Sequence, residues 1–314
     1  MNLHSPKLND RNGGRAMRVL VSGASGLIGS SVSAELIQDG HEVYTLGRSA
    51  SADPKRLTWN IEEHTGSLNK LESLDAVIHL AGEPIGNKRW TPKQREKIID
   101  SRLAGTDFLI TLLREAGLKP EVFICASAIG FYGDRGDETL DESSAPGNGF
   151  LASLVMDWES HAQAATAAAN RIVNLRTGIV LSAYEGALAK QLPLFKYGLG
   201  ATLGSGSQYV SWIHLEDAVR AIILALSDST LSGPLNLVAP EPVTNLQFSK
   251  TVAKVLRKPL FLKVPGLILE LAFGEEFADE MLLVSQRVIP TGLQTAGFEF
   301  RFPELEPALV DLLR

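Results

Sequence analysis

The chain has 314 residues, 45% hydrophobic and 21% charged, which is too apolar for a disordered chain and too mixed for a membrane protein. Its net charge of −6 gives no basic footprint for neutralising phosphate backbones, so the expected partner is a small molecule, with no nucleic acid and no membrane. The one cysteine, Cys125, excludes an internal disulfide and a cysteine-rich metal site, and fits a reducing, cytoplasmic setting.

Residues 1–16 are polar and lack the apolar stretch of a signal peptide. They read as a loose extension, with Met17 an equally good start and an organellar address left open. No run of about 18 uncharged apolar residues follows, so no bilayer span is expected.

From Met17 short β-branched runs alternate with longer amphipathic stretches, the signature of βαβ units and a parallel sheet. Strands are predicted at Arg18–Ser22, Glu42–Leu46, Arg56–Trp59, Ala76–Leu80, Val122–Ala126, Arg171–Leu175 and Pro234–Val238. Several are continuously apolar, as strands buried on both faces should be. After Trp90, Thr91 is a predicted N-cap with Pro92 at the first helical position. Ile99, Leu103, Thr106, Ile110 and Leu113 then mark one buried helix face. Further helices are predicted over 150–169 and 215–226. Past Pro242 the rhythm loosens into shorter helical pieces at 246–256, 267–273 and 276–286. The predicted fold is α/β, a Rossmann-like doubly wound parallel sheet over 17–240 with a smaller C-terminal α+β lobe over 241–314.

The stretch from Val19 to Gly29 runs from a buried strand straight into a helix through glycines at 23, 26 and 29. Such a turn needs positive φ and an approach to a pyrophosphate that a side chain would repel. Gly23 and Gly26 meet those needs, Gly29 lets helix and strand pack, and the helix N-terminus offers free N–H groups to phosphates. The second strand ends at Gly47-Arg48-Ser49, where a carboxylate would bind the ribose 2′-hydroxyl of NAD. Arg48 suits a 2′-phosphate instead and argues for NADP.

Together with Leu80-Ala81-Gly82, Ala126-Ser127-Ala128 and Phe131-Tyr132-Gly133, this turn resembles the extended short-chain dehydrogenase/reductases. The strings Arg89-Trp90-Thr91, Trp158-Glu159, Arg176-Thr177-Gly178 and Ser211-Trp212-Ile213-His214 resemble the epimerase-family proteins labelled nucleoside-diphosphate sugar epimerases. A C-terminal domain of unknown function is matched near 264–312. The resemblance implies NADP(H) binding through Gly23, Ser25, Gly26, Leu27, Ile28, Gly29, Arg48, Leu80, Ala81, Gly82 and Arg102. It implies an oxidoreductase or epimerase acting on a small polar substrate; whether the chain is a monomer or a homodimer stays open.

That superfamily normally uses a Ser or Thr after its fifth strand and a Tyr-x-x-x-Lys pair on the next helix, whose lysine pulls the tyrosine pKa toward neutrality. Ser127 stands where the serine belongs. The pair is absent: no lysine lies between Lys119 and Lys190, and Phe150, Leu151, Leu154 and Val155 occupy the expected positions. Three readings follow. Tyr132 substitutes as proton donor, aided by Arg135 or Glu83, or the reaction uses other groups, or NADP is bound without turnover. His79 reads as a core histidine and His214 as a helix cap. The glycines at 198–206 read as a mobile loop over the cleft, with Gln208 and Trp212 as substrate contacts. No histidine or carboxylate pair has metal-ligand spacing.

Overall fold

A computed structural model of the chain describes residues 15–49 and 51–314. The extension expected at 1–16 therefore lies, except for its last two residues, outside the described residues.

The sheet has eight strands: β1 (Arg18–Ser22), β2 (Glu42–Gly47), β3 (Arg56–Asn60), β4 (Thr65–Gly66), β5 (Ala76–His79), β6 (Val122–Ala128), β7 (Arg171–Thr177) and β8 (Gly233–Leu237). Their spatial order is β8-β7-β6-β5-β1-β2-β3-β4, and every neighbouring pair is parallel except β3–β4. The order reverses at β1, which pairs with β2 on one side and β5 on the other, creating a crevice at the carboxyl ends of the strands.

Alternation along the strands assigns side chains to two cores. Val19, Val21, Ile78 and Ile124 pack beneath α1 (Leu27–Gln38) on one face. Leu20, Val77, Phe123 and Cys125 pack on the other face against α2 (Pro92–Glu115) and α3 (Phe150–Gln163). Burial on both faces is why these strands read as unbroken apolar runs. Thr91 caps α2 as predicted, its Oγ1 accepting the Gln94 N–H at 3.2 Å. The stripe on α2 differs from the predicted one, since Ile98, Leu109 and Leu112 are buried while Ile99 and Leu103 are only half-buried. The α-helical part of the predicted 150–169 helix ends at Gln163 and tightens into a 3₁₀ turn over Ala164–Ala167.

Some residues ahead of 240 pack with those beyond it. Leu188, Leu192 and Phe195 of α4 (Gly186–Lys196) share a core with Trp212, which lies just ahead of α5 (Leu215–Ser227), and with Phe248 and Val252 of α6 (Asn245–Val255). The C-terminal helix Leu305–Leu313 adds Leu305 and Leu309 to the same core. Residues 179–214 thus leave the main sheet: 179–181 pair with 212–214, and 201–203 with 262–264. A carboxylate staple ties the C-terminal segment to α5. Asp217, fully buried on α5, accepts N–H bonds from Arg301 (2.9 Å) and Phe302 (2.8 Å). His214 caps α5, its Nδ1 accepting from the Glu216 N–H at 3.1 Å.

The helix predicted over 276–286 is helical over Glu275–Leu283, an α turn at Glu275–Phe277 running into a wide π-type turn at Ala278–Leu283, and it stops short of the predicted end, ahead of a strand at Arg287–Val288. The wide turn carries Glu280 to the start of α3. Among the described residues no helix is long and apolar enough to cross a membrane.

Candidate functional site

Between β1 and α1 the chain turns through Gly23 at φ +72°. A Cβ there would sit 2.7 Å from the Leu80 carbonyl, so only glycine lets the β1 turn close against the end of β5. A Cβ on Gly29 would lie 2.3 Å from the Gly23 oxygen, which explains the third glycine as a helix-to-turn contact. Gly26 has an ordinary φ of −85°, and its Cβ would meet only the Gly23 oxygen at 3.5 Å. Its role is to leave the space above the turn clear, not to supply positive φ. No side chain caps α1, so the first N–H groups around Ser25, Leu27 and Ile28 keep their capacity for an anion.

Two arginines flank this turn. Arg48 is exposed at the end of β2. Arg102 lies beside Gly82, where an added Cβ would be 3.4 Å from the guanidinium carbon. Its Nη1 donates to the carbonyls of Glu83 (3.0 Å) and Ile98 (3.1 Å), and it stacks over Trp158. Burial lowers its pKa to about 10, which still leaves it charged at neutral pH. The expected cofactor residues at 23–29, 80–82 and 102 are thus brought together, with Arg48 on the neighbouring strand end.

Beneath the turn a buried polar chain fixes β1, β5, α2 and α3. Thr106 gives its only hydroxyl proton to the Arg102 carbonyl (2.6 Å), so it must accept from Trp158 Nε1 (3.0 Å) and His79 Nε2 (3.2 Å). His79 Nε2 therefore carries the ring proton, and Nδ1 accepts from Ser22 Oγ at 2.6 Å. Burial holds the His79 pKa down to about 4, so the ring is a neutral connector, as read from the sequence. Cys125 is also buried, and burial pushes its thiol pKa well up, leaving it inert.

A second network occupies the ends of β6, β7 and β8. The strand register sets Ser127 opposite Arg176. Arg176 makes a two-toothed ion pair with Glu159 of α3, Nε to Oε1 at 2.8 Å and Nη2 to Oε2 at 2.9 Å. Ser127 Oγ donates to the same Glu159 Oε1 at 2.6 Å. Arg176 Nη1 donates to Tyr132 Oη (3.1 Å), which donates to Asn236 Oδ1 (2.7 Å), and Asn236 donates to the Ile289 carbonyl (3.0 Å). The guanidinium also lies 3.5 Å from the Phe131 ring centroid.

Tyr132 is 0% exposed, and burial raises its pKa above the ordinary value. The hydroxyl that the sequence offers as a substitute proton donor lies in this structure at a buried junction, donating to Asn236 and accepting from Arg176. Its expected helpers are also engaged elsewhere, Arg135 with Glu138 and Glu83 with Gln94 and Lys88. Gln208 and Trp212, expected as substrate contacts, are buried and donate to the carbonyls of Leu203 and Glu241, and 201–203 is a paired strand.

On α3 the positions of the absent pair are filled by apolar packing, with Leu151, Leu154 and Val155 all buried. The start of that helix is held from the smaller lobe, since Glu280 accepts the N–H groups of Phe150 and Leu151 at 2.7 Å each. Between the lobes here lies a cavity of about 260 Å³, lined in part by Gly130, Asn148, Leu151, Glu280 and Gln286. A larger depression of about 410 Å³ runs along the first turns of α2, and no residue of either network is among those that line it. Among the described residues no group of three or more His, Cys, Asp or Glu side chains is arranged to hold a metal ion.

Glu159, Arg176, Asn236 and Glu280 carry no role in a reading of the sequence alone. Glu159 and Arg176 signal only by standing in family-like strings, and Asn236 and Glu280 are not singled out, because strand register and lobe packing decide what these side chains touch.

Comparison with known proteins matches residues 19–237 to the NAD dependent epimerase/dehydratase family and 264–312 to a domain of unknown function. The chain is 42% identical over 291 residues to the Mycobacterium leprae epimerase family protein ML0860, covering 93% of this chain and 94% of that protein. It is similar to a crystal structure of the human epimerase family protein SDR39U1 (isoform 2) with NADPH. There the TM-score is 0.87 and the identity 34%, covering 94% of this chain and 99% of the other. A Corynebacterium glutamicum structure titled nucleoside-diphosphate sugar epimerase gives a TM-score of 0.77 at 33% identity, covering 98% of this chain and 60% of that one.

Proposed function

The chain belongs to the NAD dependent epimerase/dehydratase family, and from that premise we propose that it binds NADP(H) and performs oxidoreductase or epimerase chemistry on a small polar substrate. The observation that carries the cofactor reading is the uncapped α1 N-terminus above a turn that admits only glycine at 23 and 29. Backbone N–H groups there would hold the pyrophosphate, and Arg48 and Arg102 would supply positive charge. The NADPH of the human relative supports the same reading. When bound, the nicotinamide would supply or accept a hydride.

This chain's own contribution differs from the usual dyad. Ser127 has committed its proton to Glu159, so it offers a substrate only its lone pairs. It is suited to accept from a substrate hydroxyl and to pass a proton to Glu159, whose position Arg176 holds. The interlobe cavity of about 260 Å³ suits a small polar molecule.

A second reading, NADP binding without turnover, draws support from the apolar side chains at the dyad positions and from the burial of Tyr132. Titration by nicotinamide fluorescence tests the cofactor claim. NADPH is expected to bind more tightly than NADH, and Arg48→Ala to weaken NADPH by about tenfold or more while sparing NADH. Binding of neither, or an NADH preference indifferent to Arg48→Ala, overturns it. Mixing the NADPH complex with carbonyl compounds and sugar nucleotides then separates turnover from mere binding.

A further inference from the structure

The whole-chain charge of −6 conceals a local reversal. Segments 186–215 and 242–269 hold Lys190 and Lys196 in the first and five more lysines and arginines in the second, with no aspartate or glutamate in either. Both segments belong to the smaller lobe, and their edges run side by side. Ala201 and Thr202 are in register with Leu262 and Lys263, and a Cβ at Gly198 would lie 3.6 Å from Pro259. Along this edge large apolar side chains stand in water: Phe261 is 85% exposed, Tyr197 82% and Leu199 53%. Lys254 pairs with Glu306 and Lys190 with Asn87. Lys196, Arg257, Lys258 and Lys263 are exposed and have no ion-pair partner among the described residues.

Scattered apolar residues on a surface need no explanation, but aromatic side chains projecting from adjacent backbone segments that carry basic and no acidic residues of their own do. We propose that this edge of the smaller lobe docks onto an anionic lipid bilayer. Tyr197, Leu199 and Phe261 enter the headgroup region while Lys196, Arg257, Lys258 and Lys263 meet lipid phosphates. Charge complementarity selects an anionic partner. The near-complete exposure of each aromatic ring fits insertion into a deformable interface better than a preformed protein pocket, where anchors cluster around one buried centre. Nothing in this surface overlaps the 23–29 turn or the Ser127 network, so docking is independent of the cofactor reading.

The test is sedimentation of the full-length protein with vesicles of phosphatidylcholine alone or with about one-third phosphatidylglycerol. Recovery with the anionic vesicles, and release by about 0.5 M salt, is expected. Phe261→Ser should lower partitioning about tenfold and Lys258→Glu about fivefold, with thermal unfolding unchanged because both side chains are exposed. Failure to sediment with anionic vesicles, or binding indifferent to both substitutions, overturns the proposal. A concentration-dependent dimer that Phe261→Ser dissolves, without vesicle binding, also overturns it and assigns the edge to a second copy of the chain.

Discussion

The turn at 23–29 and the network joining Ser127, Glu159, Arg176, Tyr132 and Asn236 lie on the same carboxyl rim of the sheet, yet they treat polar groups in opposite ways. At the turn, backbone donors are left uncapped and glycines keep side chains away. In the network, each polar side chain has found another. An open set of donors is a receptor, whereas a saturated buried set is a brace, and a brace gives up its bonds only at high cost. Ser127 belongs to the same buried set, 4% exposed and with its proton committed to Glu159, but no donor is bonded to its oxygen among the described residues.

The sharpest way to break this contrast is to remove the charge at the centre of the brace. Arg176→Met leaves Glu159 with no guanidinium in a site where the Arg176 side chain is 4% exposed and Glu159 13%. The expected loss is about 3–5 kcal/mol of unfolding free energy in urea. Adding Glu159→Leu should return much of it, because the uncompensated charge is then gone. A loss under about 1 kcal/mol in the single variant would mean that water reaches the pair and that it is no brace.

The connector beneath the turn gives the next largest effect, through pH. His79 has a folded pKa of about 4 against 6.5 for the free side chain, because its buried ring resists charging. Below pH 6.5 the unfolded chain takes up a proton that the folded chain refuses. Its stabilising contribution is therefore complete above pH 6.5 and is lost progressively as pH falls toward 4, on the order of 3 kcal/mol. Urea midpoints between pH 7 and pH 4 check this, and His79→Asn should flatten the dependence in that window.

At the receptor itself, Gly29→Ala puts a methyl 2.3 Å from the Gly23 carbonyl oxygen, a backbone atom that cannot swing aside. The start of α1 must move, and NADPH affinity should fall about a hundredfold in a fluorescence titration. Gly26→Ala, with its nearest contact at 3.5 Å, tests a separate point. Its fold should survive, so any affinity it loses reports how closely the ligand approaches.

These two regions are also unequally legible in the amino-acid sequence. The turn is written in one contiguous stretch, so its glycines are legible, although Gly23 also answers to the distant Leu80 carbonyl and Gly26 does not take the positive φ its place suggests. The absence of the Tyr-x-x-x-Lys pair is equally plain, since it concerns one helix. The brace draws on β6, β7, β8 and α3, and only the register that sets Ser127 opposite Arg176 makes it a unit. Tyr132 reads as a spare acid because its neighbours in sequence do not include Asn236, its neighbour in space. The packing of residues 179–214 is hidden for the same reason. Residues 179–214 follow a sheet strand in sequence but bury Leu188, Leu192 and Phe195 against residues beyond 245.

The finest discrimination comes from a single oxygen. Tyr132→Phe keeps the ring and removes one hydroxyl, which donates to Asn236 and accepts from Arg176. If that hydroxyl belongs to the brace, the variant should lose about 1–2 kcal/mol of stability and bind NADPH as before. Any turnover found with a substrate should then keep its pH profile, because a group that never meets the substrate does not shape it. A loss of turnover by about a hundredfold or more with stability intact would reverse the assignment. Tyr132 would then be the proton donor after all, and the brace would have to open during the reaction, breaking the Asn236 bond each time the hydroxyl is used.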